Sequence, residues 1–297
     1  VSESSKTVAV AITVNAAIAL SKYVAGFASG SAAMIAEAIH STVDTGNEAL
    51  LFLGLKRSQR PPDEVHPFGH GQELYFWSLV VAIVIFGLGG GAAIIEGVWR
   101  FTQPREISNV LWNYVVLAIA LAFEMVSWIV AYRALGSERP GLPLLRAVRS
   151  SKDPSRFVVL LEDSAAIAGV LIALIIGTFL ASLFPRAHFD AIASILIGLL
   201  LAAAAVFLIA ETRGLLIGEA ADKETVEGIR AMLHANPDVL GINRILTMQL
   251  APESVLLNLD LEFKKEIAGS ELPAIVQSID RSIRARYPEI AEVFVRL

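Results

Sequence analysis

The chain has 297 residues, of which only 18% are charged, and its mean hydropathy is +0.62. An ordinary soluble domain carries about 25% charged residues, so a wholly water-soluble protein is excluded and most of the chain belongs in lipid. The absence of cysteine excludes disulfides and thiolate metal ligands, and a net charge of −5 leaves no basic excess for nucleic acid.

Residues 1–7 are polar, and the apolar stretch after them runs on too long for a cleavable leader. A helix crossing the hydrocarbon core needs about 20 mostly apolar residues. In chain order the windows are 8–27, with Lys22 near its outer end; 31–55, with several ionisable groups; and 74–95, free of charge. They continue with 111–130, carrying Glu124; 157–184, carrying Glu162 and Asp163; and 191–210, again free of charge. The predicted transmembrane domain, residues 1–218, is therefore all-α with six helices at about 8–29, 31–56, 72–100, 108–135, 156–184 and 189–217. Six spans put both termini on one side. One set of loops carries Lys56, Arg57, Arg60, Arg133, Arg139, Arg146, Arg149, Lys152 and Arg156, and the other only Arg100, Arg105 and Arg186. The basic set is expected on the cytoplasmic side, and both termini with it.

From residue 219 the texture changes to thirteen acids and nine bases in 79 residues. Val226, Ile229 and Leu233 have helical spacing, and Ile242, Leu246, Met248 and Leu250 share one strand parity. Leu257, Leu259, Leu261 and Phe263 alternate with Asn258, Asp260 and Glu262. Leu272, Ile275, Val276, Ile279 and Ile283 mark a second amphipathic helix, and Val293, Val295 and Leu297 a last strand. The order α-β-β-α-β predicts a small cytoplasmic α+β, ferredoxin-like domain over 219–297. Its size is marginal for a lone core, which predicts pairing with a second copy.

A charge near the bilayer centre costs about 2.5–3.5 kcal/mol, so intramembrane acids are functional candidates. Glu37, His40, Asp44 and Glu48 follow one another at steps of three and four, one stripe on the second span. His40 and Asp44 could share a metal, or could be a hydrogen-bonded pair joining two helices. Glu162 and Asp163 point about 100° apart on the fifth span. Side by side in low dielectric they require a cation or a proton. Asn15 fits a helix–helix hydrogen bond better than a ligand, and Glu124 fits a partner helix or a water-filled cavity equally. The loop after the second span, Asp63-Glu64-Val65-His66-Pro67-Phe68-Gly69-His70-Gly71, holds three potential ligands, Asp63, His66 and His70. That spacing suits a metal site or a turn that caps the next span.

The His40-x-x-x-Asp44 pair, the His66-Pro-Phe-Gly-His70-Gly71 loop, the acid of the fifth span and the α-β-β-α-β tail together resemble the cation diffusion facilitators. The likeness covers essentially the whole chain in order. It implies a homodimer, joined through the C-terminal domain and the membrane helices, that exports zinc or a similar divalent metal from the cytoplasm in exchange for protons. It also implies a transport site at His40, Asp44 and Asp163, with Glu162 or water fourth, and a second site at Asp63, His66 and His70. Two departures stand out. The family's His or Asp four residues before the span-five acid is Val159 here. In the tail, His234 is the only histidine, and Asp260 stands where relatives often carry His.

One nitrogen and two or three oxygens suit zinc, and replacing nitrogen by carboxylate keeps Mn²⁺, Fe²⁺ and Co²⁺ as alternatives. Protons compete for the same groups because ligands bind deprotonated. Imidazole titrates near neutral pH when unperturbed, which makes His40 the expected proton carrier. The expected membrane is a bacterial inner membrane. A metal-sensing or scaffolding protein without transport is the alternative. An enzyme is not expected, since no His-Glu-x-x-His signature or substrate motif is present.

Overall fold

The computed structural model describes residues 2–103, 110–138, 143–184 and 188–296. Within them, the side chains of 2–14, 86, 134, 136–138, 144, 145, 149 and 156 are not described. Arg105, Arg139, Arg186 and Leu297 thus lie outside the described residues, as do the side chains of Arg149 and Arg156.

Helices occupy all six predicted windows. They are α1 (Ser2–Ser29); α2 (Ala32–Ser58); α3 (Glu73–Val84), which runs through a π-helical segment, Ile85–Gly91, into α4 (Ala92–Thr102); and α5 (Val110–Glu138). After a short α6 (Leu144–Ser150) come α7 (Pro154–Ile172), which runs through a second π-helical segment, Ala173–Leu180, into α8 (Ala181–Leu183), and then α9 (Phe189–Ile217). Four runs are both long and apolar enough to cross a membrane: Glu73–Thr102, Val110–Arg133, Phe157–Leu183 and Phe189–Ile217. In α2 the apolar residues are interrupted by Glu37, His40, Asp44, Asn47 and Glu48, three of which are fully buried. Many of the outward side chains are apolar. Ile95, Leu111, Val126 and Val206 are each more than half exposed, a belt that water would not tolerate and lipid would.

Local chemistry sets the helix ends. Gly30 has φ +71°, closes α1 by donating to the Gly26 carbonyl, and lets the chain reverse. Asp190 of α9 then caps α2: its carboxylate accepts from Ser31 Oγ at 2.6 Å and from the amides of Ala32 and Ala33 at 2.5 and 3.0 Å. Asp153 caps α7, accepting from the Ser155 amide at 3.0 Å, with Pro154 in the first turn. The run through α4 and α9 touch backbone to backbone. A Cβ on Gly198 would stand 2.7 Å from the Gly90 carbonyl oxygen, and one on Gly97 would stand 2.9 Å from that of Ala191. Ser194 Oγ donates to the Ala93 carbonyl across the same crossing at 2.8 Å. This is the small-residue contact by which helices associate in lipid.

The C-terminal domain contains α10 (Lys223–Ala235), β1 (Val239–Ala251), β2 (Ser254–Phe263), α11 (Leu272–Arg286) and β3 (Ile290–Arg296). Its sheet runs β1-β2-β3, antiparallel then parallel. Val255, Leu257, Leu259 and Leu261 form the alternating inner face of β2 and pack with Ile229, Leu233, Ile279 and Ile283 from the two helices. The parity expected for β1 is corrected. Val239, Ile242 and Ile245 face that core, while Leu246 is 49% exposed. Irregular pairing between Val239 and Gly241 and between Ile242 and Arg244 shifts the inward phase, as bulges do.

Compactness divides the chain differently from a cut at 218/219. One unit is Val1–Lys56 with Phe76–Thr212, and the other is Arg57–Tyr75 with Arg213–Leu297. The loop after α2 belongs to the second unit for a steric reason. Gly71 lies so close to β1 that a Cβ there would stand 2.6 Å from the Leu250 carbonyl oxygen and 2.5 Å from the Ala251 Cβ. Phe68 meets Phe294 of β3 edge to face, with ring centroids 6.3 Å apart.

Candidate metal centres

The polar stripe of α2 divides into three environments. Glu37 pairs with another helix: its Oε2 lies 3.2 Å from Lys22 Nζ of α1, and both side chains are fully buried. Glu48 accepts from Asn15 of α1 at 2.7 Å. Between them, His40 Nδ1 stands 3.4 Å from Asp44 Oδ1. That contact is not aligned as a hydrogen bond. Among the described residues, both nitrogens of His40 and Asp44 Oδ1 are buried without a hydrogen-bond partner. Each such group costs about 1–3 kcal/mol, which coordination of a cation would offset.

On α7 the neighbouring acids reach different helices, as a 100° step dictates. Glu162 Oε1 accepts from Asn47 Nδ2 of α2 at 2.7 Å. Asp163 Oδ2 accepts from Ser127 Oγ of α5, also at 2.7 Å. Both acids nonetheless border one cavity of about 260 Å³, together with Asp44, Glu48 and Glu124. Its remaining wall includes Asn15, Ser41, Ser127 and Val159. The structure therefore brings Asp44, Glu162 and Asp163 to a common space and places His40 against Asp44. It does not bring the four donor atoms to one point. Among the described residues, the group of three or more donors within 4.8 Å of one another is Asp63, His66 and His70.

Sequence reasoning missed Asn47, Ser127 and Lys22. Asn47 falls three residues after Asp44 and seven after His40, so its place on the stripe was readable. Ser127 follows Glu124 by three residues, a weaker signal of the same kind.

In the loop, Asp63 makes the turn. Its Oδ1 accepts from the amides of Val65 at 2.9 Å and His66 at 2.6 Å, and Gly69 turns at φ +84°. His66 Nδ1 and His70 Nε2 each stand 3.4 Å from an Asp63 oxygen, and the two imidazoles lie 4.3 Å apart. The backbone amides of His66 and Val65, and then the nearby imidazoles, hold the Asp63 carboxyl below its ordinary value of 3.8. A depressed acid supports the turn at all pH above that value, and the support is lost only as the pH falls through the lower one. His70 Nδ1 is buried without a hydrogen-bond partner among the described residues.

Two family profiles divide the chain between them. That of the cation efflux transmembrane domain matches residues 8–217, and that of the cation efflux protein's cytoplasmic domain matches residues 221–297. The chain belongs to the cation efflux family, the cation diffusion facilitators. As a member of that family it is a membrane protein. The human mitochondrial proton-coupled zinc antiporter SLC30A9 is 32% identical over 295 residues, which are 98% of this chain and 52% of that protein. Metal tolerance protein C4 of Arabidopsis thaliana is 30% identical over 266 residues, 89% of this chain and 58% of that one. Manganese efflux system protein MneP of Bacillus subtilis is 24% identical over 294 residues, 99% and 95% of the two chains. This cation efflux chain spans about half the length of the curated zinc antiporters it matches.

Proposed function

We propose that this protein exports a divalent cation, zinc before manganese, iron(II) or cobalt, from the cytoplasm in exchange for protons. It would do so as a homodimer with six spans and cytoplasmic termini, in an energised membrane such as a bacterial inner membrane. The observation that carries the reading is the cavity bordered by five carboxylates with the unsatisfied His40–Asp44 pair at its side. Five acids around about 260 Å³ cannot all stand ionised without compensating charge. A doubly positive ion supplies that charge when the cavity is loaded, and protons supply it when the cavity is empty. The two therefore exchange at the same atoms.

His40 favours zinc over the harder oxygen-seeking cations. His40, Asp44 and Asp163 form the transport site, with Glu162 held by Asn47 as the fourth group and Val159 offering the wall no donor. Alternating access then draws His40 and Asp163 toward a common ion in another state of the cycle. In reconstituted vesicles, Zn²⁺ flux is expected to exceed Mn²⁺, Fe²⁺ and Co²⁺ flux and to follow an imposed pH gradient. Zn²⁺ binding without flux would move the protein to the sensing or scaffolding alternative.

The loop cluster is a second metal site on the cytoplasmic side. Asp63→Asn keeps an oxygen to cap the turn and removes the charge. It is expected to weaken Zn²⁺ binding at the loop at least about tenfold, the loss found even for outer-shell partners, with the fold intact. Titration of Asp63→Asn against the parent by calorimetry checks this, and equal affinities would leave the cluster a turn alone.

A further inference from the structure

Lys22 is a buried cation that the transport scheme above does not use. Its side chain is 0% exposed, and it is tied to Glu37 Oε2 at 3.2 Å and to Ser41 Oγ at 2.7 Å. Ser41 is itself part of the cavity wall, three residues before Asp44, which borders the same space. Asn15 and Ile18, seven and four residues before Lys22, line the cavity from α1, so Lys22 continues the face that α1 turns toward it. Ser41 therefore touches both the ammonium and the cavity that the acids border.

The anchor is asymmetric. Glu37 Oε1 has no hydrogen-bond partner among the described residues, so Lys22 is held through one oxygen only. The same Oε1 fills the space that a Cβ on Gly169 of α7 would need. The carboxylate is wedged between helices, whereas the lysine hangs on a flexible four-carbon stem.

We propose that Lys22 is a tethered counter-cation of the transport cavity. With the cargo gone, a proton neutralises Glu37, and the ammonium leaves it, passes Ser41 and pairs with Asp44. An arriving divalent ion displaces it back onto Glu37. The inference rests on the transport site proposed above. The arriving ion releases the proton from Glu37, so the proton of the empty carrier is held at Glu37 while the ammonium compensates Asp44 in the cavity.

The test is Zn²⁺ binding to the full-length protein carrying His66→Ala and His70→Ala, so that the loop site is silent. Glu37→Gln deprives the ammonium of its resting place and leaves it competing in the cavity. Zn²⁺ affinity is expected to fall at least about fivefold, the lower end of measured couplings between sites. Lys22→Met with Glu37→Gln removes the competitor without leaving an unpaired buried charge, and affinity is expected to rise by a similar factor. The same double variant should retain zinc-for-zinc exchange in vesicles while net efflux slows. An ion pair that merely joins α1 to α2 would move both variants in the same direction or in neither, and either result overturns the proposal. Asp44→Ala, measured alongside, separates the two readings. If Asp44→Ala loses Zn²⁺ binding while both Lys22–Glu37 variants match the parent, the transport site stands and the tether falls. If Asp44→Ala binds normally, the site itself is misplaced.

Discussion

Asp44→Ala and Asp163→Ala are each expected to lower zinc flux in reconstituted vesicles at least about a hundredfold, beyond the range seen when a ligand's outer-shell partner is lost. Both carboxylates border the same cavity, one from α2 and one from α7. Each variant removes a proposed ligand rather than a support. Ser127→Ala provides the comparison, since it takes away only the 2.7 Å hydrogen bond that orients Asp163. Its flux should fall about tenfold. Folding should survive in all three. Removing an acid from a crowd of five lowers the electrostatic strain of the empty cavity, and alanine is well tolerated in a helix. Size-exclusion profiles like the parent's, with graded loss of flux, would fit ligand and support roles. Near-normal flux in either aspartate variant would defeat the assignment.

The gradation also bears on Glu162. Its partner Asn47 is fully buried and comes from α2, the helix that carries His40 and Asp44. A bond between α2 and α7 at this point ties the two helices that carry the proposed ligands. In the proposed site, Glu162 beside Asp163 would stand in for a ligand one turn before it, and Asn47 of α2 braces it.

The readable parts of this chain are those in which one periodicity governs a whole element. Strand β2 alternates without interruption, so its buried face followed from Leu257, Leu259 and Leu261 alone. The loop cluster was readable because Asp63, His66 and His70 are close in sequence and a single turn gathers them. Strand β1 was misread because its bulges change the phase that a strict period of two assumes, turning Leu246 outward and Ile245 inward. The stripe on α2 misled in a different way. Helical spacing placed Glu37, His40, Asp44 and Glu48 on one face, but spacing says nothing of what stands opposite. Lys22 reads only as a charge near the outer end of the first span and is instead sealed against Glu37. Partners contributed by other helices, such as Asn15, Asn47 and Ser127, are fixed only by tertiary packing. Those partners decide whether an intramembrane acid is a ligand or half of an ion pair.

Gly198→Val is expected to prevent a stable transmembrane fold, whereas Gly46→Ala should be neutral or slightly stabilising. Both residues are helical glycines, and the difference lies in what each faces. A Cβ on Gly198 would stand 2.6 Å from Ile94 Cγ1, 2.7 Å from the Gly90 carbonyl oxygen and 2.8 Å from the Ile94 amide nitrogen. Two of these atoms are backbone of the opposing helix, so no side-chain rotation relieves the overlap and the helices must part. Overpacking of this kind costs about 1–3 kcal/mol for one added methylene group and more for a branched side chain. Separation would also break the Ser194 hydrogen bond to the Ala93 carbonyl. At Gly46 an added methyl group would meet nothing within 4 Å among the described residues, so alanine brings only its helix propensity, worth about 1 kcal/mol. Thermal unfolding in detergent should separate the two variants clearly. The contrast reaches function because the described residues that border the cavity come from α1, α2, α5 and α7, and none of them from α4 or α9. In the proposed transport cycle, a pair of helices locked at backbone distance would be the stationary support against which the helices carrying the proposed ligands rock. If Gly198→Val folds and transports like the parent, that division of labour is wrong.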